Sequence, residues 1–228
     1  MRTLLISDVH IGFKFSRASD AVSVLNNEQF DRLILVGDIF DIQSMMHRPY
    51  WDEHHTAFLK KILKLAKKKE VIYVVGNHDY PLCHLQEYTN KLAGIKLCRE
   101  YAYSSGNKNI LCVHGDQFDS VSHKMQAVGD FFYNILLHLN GFVAKIRSLF
   151  GLQYWSISKW CKDKVKNTIS KAFSIDDKLR ELDADVVVYG HTHMPFVQQD
   201  LVNTGTFVEI ATYVIEEDGK FELKELDD

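Results

Sequence analysis

Five short apolar runs, each ending at side chains that can bind metals, constrain this chain more than any other feature. The runs are rich in leucine and β-branched residues, and they lie at 3–6, 32–36, 71–75, 110–113 and 186–189. Such compact runs are typical of strands that are buried on both faces in a layered α/β domain. Because ligands bind beyond the carboxyl ends of strands in such sheets, the residues directly after each run form the candidate site.

The residues after the five runs carry carboxylates, imidazoles and one amide. They read Asp8-x-His10, Asp38-x-x-Asp41, Asn77-His78-Asp79, His114 and His191-x-His193. Oxygen and imidazole donors without a thiolate suit Mn²⁺, Fe or Zn²⁺ rather than Ca²⁺. Taken singly, most of these motifs have a plainer explanation, since an aspartate after a strand often caps a helix and a lone histidine is often a surface residue. Five such endings in one chain favour a metal site.

Helices are predicted between the runs. The clearest is at 52–68, where apolar residues recur at helical spacing opposite a row of lysines. After His193 the pattern changes to short segments near 196–202, 207–215 and 220–226, with a hairpin turn at Asp218-Gly219. We therefore expect alternating strands and helices followed by an antiparallel end.

Composition and charge limit the class of protein. With 228 residues, 46% of them hydrophobic and 25% charged, the chain can bury the core of one large domain. Proteins that bind nucleic acids are usually strongly basic, so the net charge of −3 argues against a nucleic-acid partner. The four cysteines lie far apart, which favours a reducing compartment. The longest apolar stretch, 131–144, is interrupted by polar residues and no targeting segment is visible, so we expect a cytoplasmic protein that does not cross a membrane.

Residues 121–173 differ from the rest of the chain in charge. They hold eight Lys or Arg against two Asp, a net charge of +6 that leaves −9 on the remainder, and nine of the 27 aromatic residues. The segment has helical periodicity, with Lys159, Lys162 and Lys166 in a basic stripe beside an apolar one. Two interpretations stay open, a solvated face on a core helix or a functional cap.

The five strand endings, taken in order, resemble the signature of the calcineurin-like metallophosphoesterases over residues 7–193. The resemblance implies an α/β fold in which a β-sandwich is flanked by helices, a four-layer αββα arrangement. It would form a single domain over residues 1–228, with a helical cap insertion at about 121–173. The resemblance also implies two divalent ions, with Mn²⁺ expected before Fe or Zn²⁺, and hydrolysis of a phosphoester substrate.

The same resemblance implies a role for each residue. The ligands of the first ion would be Asp8, His10 and His193. Those of the second would be Asn77, His114 and His191. The carboxylate shared by both ions would be that of Asp38. His78 would be a non-ligand group that protonates the leaving oxygen or stabilises the transition state, and Asp41 would orient it.

Three further stretches resemble the UDP-2,3-diacylglucosamine diphosphatase branch of the family, HGDQFD (114–119), YWSISKWCKDKVKN (154–167) and NTGTFVE (203–209). Enzymes of that branch cleave the pyrophosphate of UDP-2,3-diacylglucosamine to UMP and 2,3-diacylglucosamine 1-phosphate in lipid A synthesis. The candidate substrate-binding residues under this hypothesis are Asp119, Ser156, Ser158, Lys159, Lys162 and Lys166. Lysines beside aromatic residues would also favour peripheral contact with an anionic membrane surface, on the cytoplasmic face of the inner membrane.

Two departures from that branch keep other substrates open. The chain has His78 where the branch has Arg, and Thr206-Phe207 where Asp-Trp is usual. The alternative is a phosphodiesterase or phosphatase that acts on a soluble nucleotide or another small phosphoester. The net charge outside 121–173 disfavours a nuclease. A binding subunit without turnover is a further rival, but such a protein would be expected to have lost ligands, and here every ligand position is filled.

Overall fold

The computed structural model describes residues 1–86, 88–89, 91–118 and 175–226. The chain divides into two compact units, Met1–Gln117 with Lys178–Asp228, and Phe118–Asp177. The fold described below is that of the first unit. The predicted cap at 121–173 lies outside the described residues, as do all six candidate substrate-binding residues, Asp119, Ser156, Ser158, Lys159, Lys162 and Lys166. What was predicted for them stays a prediction.

A seven-stranded mixed sheet forms the first layer of strands. Its central strands are parallel and run in the order β1 (Arg2–Ile6), β2 (Arg32–Val36), β3 (Glu70–Val74) and β5 (Ile95–Cys98). Antiparallel strands complete the two edges, with β11 (Thr212–Glu217) and β12 (Lys220–Glu225) beside β1, and β4 (Lys91–Leu92) beside β5. Strands β1, β2 and β3 are buried on both faces over most of their length, which is why their sequences are largely apolar, whereas Lys96 of β5 is exposed.

A five-stranded mixed sheet forms the second layer, in the order β6-β7-β8-β10-β9. The strands are β6 (Glu100–Ser105), β7 (Lys108–Val113), β8 (Val186–Tyr189), β9 (Phe196–Val197) and β10 (Leu201–Asn203). The three central strands are parallel, and β6 and β9 are antiparallel edge strands. All five predicted strands are therefore present, close to the predicted bounds.

Helices α1 (Ala18–Asn27) and α3 (Glu53–Ala66) pack on the outer face of the first sheet. The predicted helix at 52–68 is present as Glu53–Ala66, and Asp52 caps its N-terminus by accepting a hydrogen bond from the His55 N–H. The remaining described helices are short, α2 (Ile42–His47), α4 (Cys83–Gln86) and α5 (Ile175–Arg180), with 3₁₀ turns at Tyr80–Leu82 and Asp116–Phe118.

Alternate residues of the first sheet pack into two different cores. Leu4 and Leu33 contribute to the core beneath the helices, whereas Leu5 and Ile34 join Val188 of the second sheet in the core between the sheets. Two mixed sheets thus pack face to face with helices outside, which confirms the predicted α/β sandwich. Within the described ranges, no helix is both long enough and apolar enough to cross a membrane.

The end of the chain differs from the prediction in three respects. The segment expected near 196–202 is two strands, because a turn in which the Gln198 N–H donates to the Leu201 carbonyl oxygen reverses the chain. After that reversal β10 runs parallel to β8 and not antiparallel to it. The segment expected from 207 begins instead at Thr212. The hairpin turn is confirmed, since Asp218 and Gly219 have φ angles of 51° and 76°, typical of a type I′ turn.

Candidate metal centre

The carboxyl ends of five parallel strands carry the predicted site residues. Strands β1, β2 and β3 are neighbours in the first sheet, and β7 and β8 are neighbours in the second. The loops after the strands stay hydrogen-bonded to each other, since the Asp8 N–H donates to the Gly37 oxygen at 3.0 Å and the Gly190 N–H to the His114 oxygen at 3.1 Å. The loops are therefore held side by side after the sheet pairing has ended.

The first cluster consists of Asp8, His10 and His193, whose potential ligand atoms all lie within 4.8 Å of one another. Asp8 Oδ1 is 3.1 Å from His193 Nε2 and 3.8 Å from His10 Nε2. Asp8 and His10 are buried, and His193 is partly buried. The structure thus brings together the three residues predicted to bind the first ion.

The second cluster consists of Asp38, His114 and His191, again with potential ligand atoms within 4.8 Å of one another. Asp38 Oδ2 is 3.1 Å from His114 Nε2 and 4.0 Å from His10 Nε2 of the first cluster. Asp38 therefore lies between the two clusters, the position that a shared carboxylate requires.

Asn77, the remaining predicted ligand, lies beside the second cluster. A Cβ at the preceding residue, Gly76, would be 2.3 Å from Asp38 Oδ1 and 2.8 Å from His114 Cδ2. At the following residue, the His78 N–H donates to Asp38 Oδ1 at 2.8 Å. Because only glycine permits so close an approach, the Gly-Asn-His sequence brings the amide up to the second cluster.

Four buried atoms of these residues have no hydrogen-bond partner, namely Asp8 Oδ1, His10 Nε2, Asn77 Oδ1 and His114 Nε2. Their short contacts with neighbouring charged groups do not have hydrogen-bond geometry. A buried polar atom without a partner costs about 1–3 kcal/mol, so four of them in one place need an explanation. Divalent cations would satisfy oxygen and imidazole atoms of this kind, and the residues present therefore fit metal ions.

The second ring nitrogen, Nδ1, is hydrogen-bonded in His10, His193 and His114. His10 Nδ1 bonds to Asp41 Oδ2 at 3.2 Å and His193 Nδ1 to Glu209 Oε2 at 3.1 Å. His114 Nδ1 donates to the Val36 carbonyl oxygen at 2.9 Å. Each bond holds the proton on Nδ1 and leaves the lone pair of Nε2 directed into the site, as metal-binding histidines require.

Asp41 connects His78 to the first cluster. Its Oδ1 accepts a hydrogen bond from His78 Nδ1 at 3.0 Å, while its Oδ2 holds His10, and the two imidazole rings are 4.8 Å apart. Asp41 also caps the N-terminus of α2, because its Oδ1 accepts a hydrogen bond from the Ser44 N–H at 2.8 Å. This aspartate therefore both caps a helix and belongs to the candidate site. The His78 side chain is 19% exposed, which makes it accessible to a substrate.

The charges of the site shift one another's pKa values. Burial alone would raise the pKa of Asp38, but the imidazoles of His114 and His78 lower it well below its ordinary value. Burial would lower the pKa of His114, but Asp38 and then Asp8 raise it to about 10. The surroundings therefore favour positive charge at this point, whether a proton or a metal cation carries it.

Asp79, the last residue of the Gly-Asn-His-Asp motif, joins two of the loops. Its Oδ1 accepts from the Gly76 N–H at 2.6 Å, and its Oδ2 accepts from the Ile39 N–H at 2.9 Å and the Tyr73 hydroxyl at 2.5 Å. Burial, followed by the charge of Asp38, raises the pKa of Asp79 to about 6. These bonds fix the loop after β3 against the loop after β2.

Sequence reasoning missed the residues that support Asp8 and His193. The Thr206 hydroxyl donates to the Asp8 carbonyl oxygen at 3.2 Å, and the Phe207 N–H donates to the same oxygen at 3.0 Å. The departure from Asp-Trp at these two positions thus lies directly against a candidate ligand. Glu209 holds His193 from the same stretch. The resemblance of NTGTFVE marked this stretch, but nothing in its sequence indicated which cluster it would reach.

Five candidate ligands have left-handed backbone conformations, at φ angles between 50° and 61°, namely Asp8, His10, Asp38, His191 and His193. Each such conformation costs a residue with a side chain about 1–2 kcal/mol. Strain of this kind persists where the surrounding structure imposes it, and it concentrates at functional sites. The turns that aim these side chains into the clusters are therefore maintained against a local preference of the backbone.

Comparison with known proteins agrees with the geometry. The family model of the calcineurin-like phosphoesterases matches residues 1–195. The UDP-2,3-diacylglucosamine hydrolase of Coxiella burnetii (strain RSA 331) is 24% identical over 221 residues, which cover 88% of this chain and 84% of the relative. The enzyme of that name from Psychromonas ingrahamii is 27% identical and covers 89% of this chain and 84% of its own.

Among solved structures, an archaeal phosphodiesterase is 16% identical, covers 99% of this chain and 100% of its own, and has a TM-score of 0.47. The residues matched by the family model include every member of both clusters, together with Asn77, His78 and Asp41. The chain therefore belongs to the calcineurin-like phosphoesterases and is a metal-dependent phosphoesterase.

Proposed function

We propose that this phosphoesterase uses two divalent ions to hydrolyse the pyrophosphate of UDP-2,3-diacylglucosamine, releasing UMP and 2,3-diacylglucosamine 1-phosphate. The observation that carries the proposal is the pair of clusters on either side of Asp38, with His78 held beside the first cluster by Asp41. Pairs of divalent ions are a recurrent means of hydrolysing phosphoesters. The relatives from Coxiella and Psychromonas, both UDP-2,3-diacylglucosamine hydrolases, support the choice of substrate.

In this proposal the first cluster would hold one ion, the second cluster with Asn77 would hold the other, and Asp38 would be available to both. The mixture of carboxylate, amide and imidazole donors supports Mn²⁺, with Fe or Zn²⁺ as the alternatives. Bound there, the ions would supply Lewis-acid charge to the phosphate oxygens and lower the pKa of a water molecule.

In this proposal His78 is the residue that acts on the leaving group. Asp41 accepts the hydrogen of His78 Nδ1, which fixes the ring and stabilises its protonated form. The second ring nitrogen, Nε2, would then give its proton to the oxygen that leaves phosphorus. Because Asp41 also holds His10, the acid and the first cluster share one support.

The proposed substrate is an amphiphile, and exposed apolar residues support that choice. Eight large apolar side chains are exposed among the described residues. Six of these belong to the segments that follow β2 and β3, at Met46, Trp51, Tyr80, Leu85, Tyr88 and Leu92. Exposed apolar side chains of this kind would favour acyl chains. Lys159, Lys162 and Lys166 of the predicted cap would separately favour an anionic lipid surface. The proposed function therefore predicts a cytoplasmic protein that works at the cytoplasmic face of the inner membrane.

A soluble nucleotide or another small phosphoester is the second candidate substrate. His78 favours it, because this histidine stands where the diphosphatase branch has Arg. Both candidates use the same two clusters, so only the substrate itself distinguishes them.

Incubation of the Mn²⁺-loaded protein with UDP-2,3-diacylglucosamine in detergent micelles tests the proposal. We expect release of UMP, with a kcat/KM well above that for bis(p-nitrophenyl) phosphate, a small chromogenic diester. Cleavage of the small diester without release of UMP would favour the soluble phosphoester. If the protein holds two ions and shows neither activity, both candidate substrates are refuted.

A variant in which Lys159, Lys162 and Lys166 are all replaced by Gln tests the predicted cap. Interactions made equally in the ground state and the transition state raise KM without lowering kcat when they are lost. We therefore expect KM for the lipid substrate to rise about tenfold, with a much smaller change for the small diester. An equal effect on both substrates would assign the lysines a structural role.

A further inference from the structure

We propose that Arg99 is a positioning residue for the second cluster, an inference that rests on the proposed two-ion function. Arg99 is the single residue between β5 of the first sheet and β6 of the second. Its guanidinium contacts the chain just before Asn77 and just after His114, so it joins a candidate ligand from each sheet.

The contacts of Arg99 are short and charge-assisted. Nη1 donates to the Val75 carbonyl oxygen at 2.6 Å, two residues before Asn77. Nη2 donates to both carboxylate oxygens of Asp116, at 2.9 Å and 3.2 Å, two residues after His114. Hydrogen bonds with an ionised donor and acceptor are roughly twice as strong as neutral ones. The Arg99 and Asp116 side chains are 29% and 14% exposed, so water screens this pair less than a surface pair.

These contacts begin where the pairing of the strands ends. The ladder between β2 and β3 stops at Val74, and the ladder between β7 and β8 stops at Cys112. Asn77 and His114 therefore lie beyond these two ladders, where bonds from Asp79 and from the Gly190 N–H restrain each loop separately. Arg99 adds one restraint that joins the two loops to each other, and we infer that it helps to fix the position of Asn77 relative to His114.

The alternative role, a phosphate-binding arginine, fits the contacts less well. Both Nη groups of Arg99 already donate to protein oxygens, and Gln117 Oε1 is a further acceptor at 3.3 Å from Nη2. The Tyr80 ring lies over the guanidinium, with 5.5 Å between ring centroid and Cζ. An arginine held in this way orients its neighbours, whereas a substrate anion would have to compete with Asp116 for it.

The test is a comparison of Mn²⁺ binding by the wild type and Arg99→Met, which keeps a long apolar side chain but removes the fork of donors. We expect one of the two bound Mn²⁺ ions, that of the second cluster, to lose about 10- to 100-fold in affinity, the range for residues that orient ligands, while the affinity for the other ion is unchanged. At limiting Mn²⁺, the electron paramagnetic resonance signal should change from a coupled pair to an isolated ion. Excess Mn²⁺ should restore kcat for the small diester.

Arg180→Met is the matched control, because Arg180 also donates to a carboxylate and an amide oxygen, those of Asp200 and Gln198, in the turn before β10. It should bind both ions as the wild type does. Asp116→Asn is a second variant of the proposed contact, which keeps the shape and removes the charge, and its second ion should weaken in the same direction. This variant carries the test if Arg99→Met does not fold.

The outcomes separate this inference from the function on which it rests. A wild type that never binds two ions would refute the proposed function. A wild type with two ions and an Arg99→Met variant that binds both with unchanged affinity would refute the role of Arg99. Equal weakening of both ions, or a large loss of thermal stability in the metal-free variant, would show a general structural role and would also overturn the inference.

Discussion

His114 of the second cluster is held differently from the two imidazoles of the first cluster. In the first cluster carboxylates hold the rings, since Asp41 bonds to His10 and Glu209 bonds to His193. In the second cluster His114 donates instead to the main-chain oxygen of Val36. A carboxylate adds negative charge behind the ligand and raises its basicity, whereas a neutral carbonyl mainly fixes the direction of the ring.

This difference predicts unequal affinities for the two ions. Two carboxylates, Asp41 and Glu209, bond to the imidazoles of the first cluster, whereas His114 of the second cluster bonds to a neutral carbonyl oxygen and Asn77 is a neutral donor. We therefore expect the first cluster to retain its ion during dialysis and the second to exchange its ion more readily. The lesson is that two clusters with similar ligands can differ in strength through residues that touch no metal.

Asp38→Asn should affect both clusters, because it removes the carboxylate that lies between them. We expect turnover of the small diester to fall by more than about 10³-fold, beyond the loss of a single oriented donor. Metal content, measured by elemental analysis after desalting, should fall at both clusters. A variant that kept both ions and most of its activity would show that the clusters are independent of Asp38.

His78→Ala should lower the rate of catalysis without changing the metal content of either cluster. Loss of a general acid typically lowers kcat by about 10²-fold or more, and we expect that loss with both ions retained. His47→Ala is the control, since His47 is an exposed histidine at the end of α2. Loss of an ion in parallel with activity would make His78 a ligand and would contradict the role assigned to it.

Glu209→Gln tests the claim that carboxylates strengthen the first cluster. The amide can still bond to His193 Nδ1 but carries no charge, so we expect about a tenfold loss of affinity for the tighter ion. Competition with a chelator measures this affinity, and Glu217→Gln, at a side chain that is 54% exposed, is the control. An unchanged affinity would mean that the two clusters differ for some other reason.

The strands and the side chains that follow them could be predicted because their signals are local. A buried strand must be apolar over four or five consecutive residues, and polar groups directly after it must lie at the end of the sheet. The runs before Asp8, Asp38 and Asn77 show both features in the sequence. The physical constraint and the sequence pattern extend over the same few residues, so the prediction was reliable.

Other features depend on contacts between distant parts of the chain. Glu209 reaches His193 only because the loop after β10 returns to the first cluster, and Arg99 reaches Asp116 because the chain changes sheets at that point. The parallel direction of β10 depends in the same way on one turn near Gln198. No local pattern marks a residue for such a role, because its partner is chosen by the fold.

The left-handed backbone of five candidate ligands has a consequence for the survival of the folded protein. Each of these conformations opposes folding to some extent, and only roughly 5–15 kcal/mol stabilises a typical domain. Ions that bind only the folded state offset this by mass action, by about 2.7 kcal/mol at a free concentration 100 times Kd. Thermal unfolding should therefore shift with Mn²⁺ concentration. In a cell, metal scarcity would expose the chain to proteolysis, so that cation supply would govern the abundance of the protein as well as its rate.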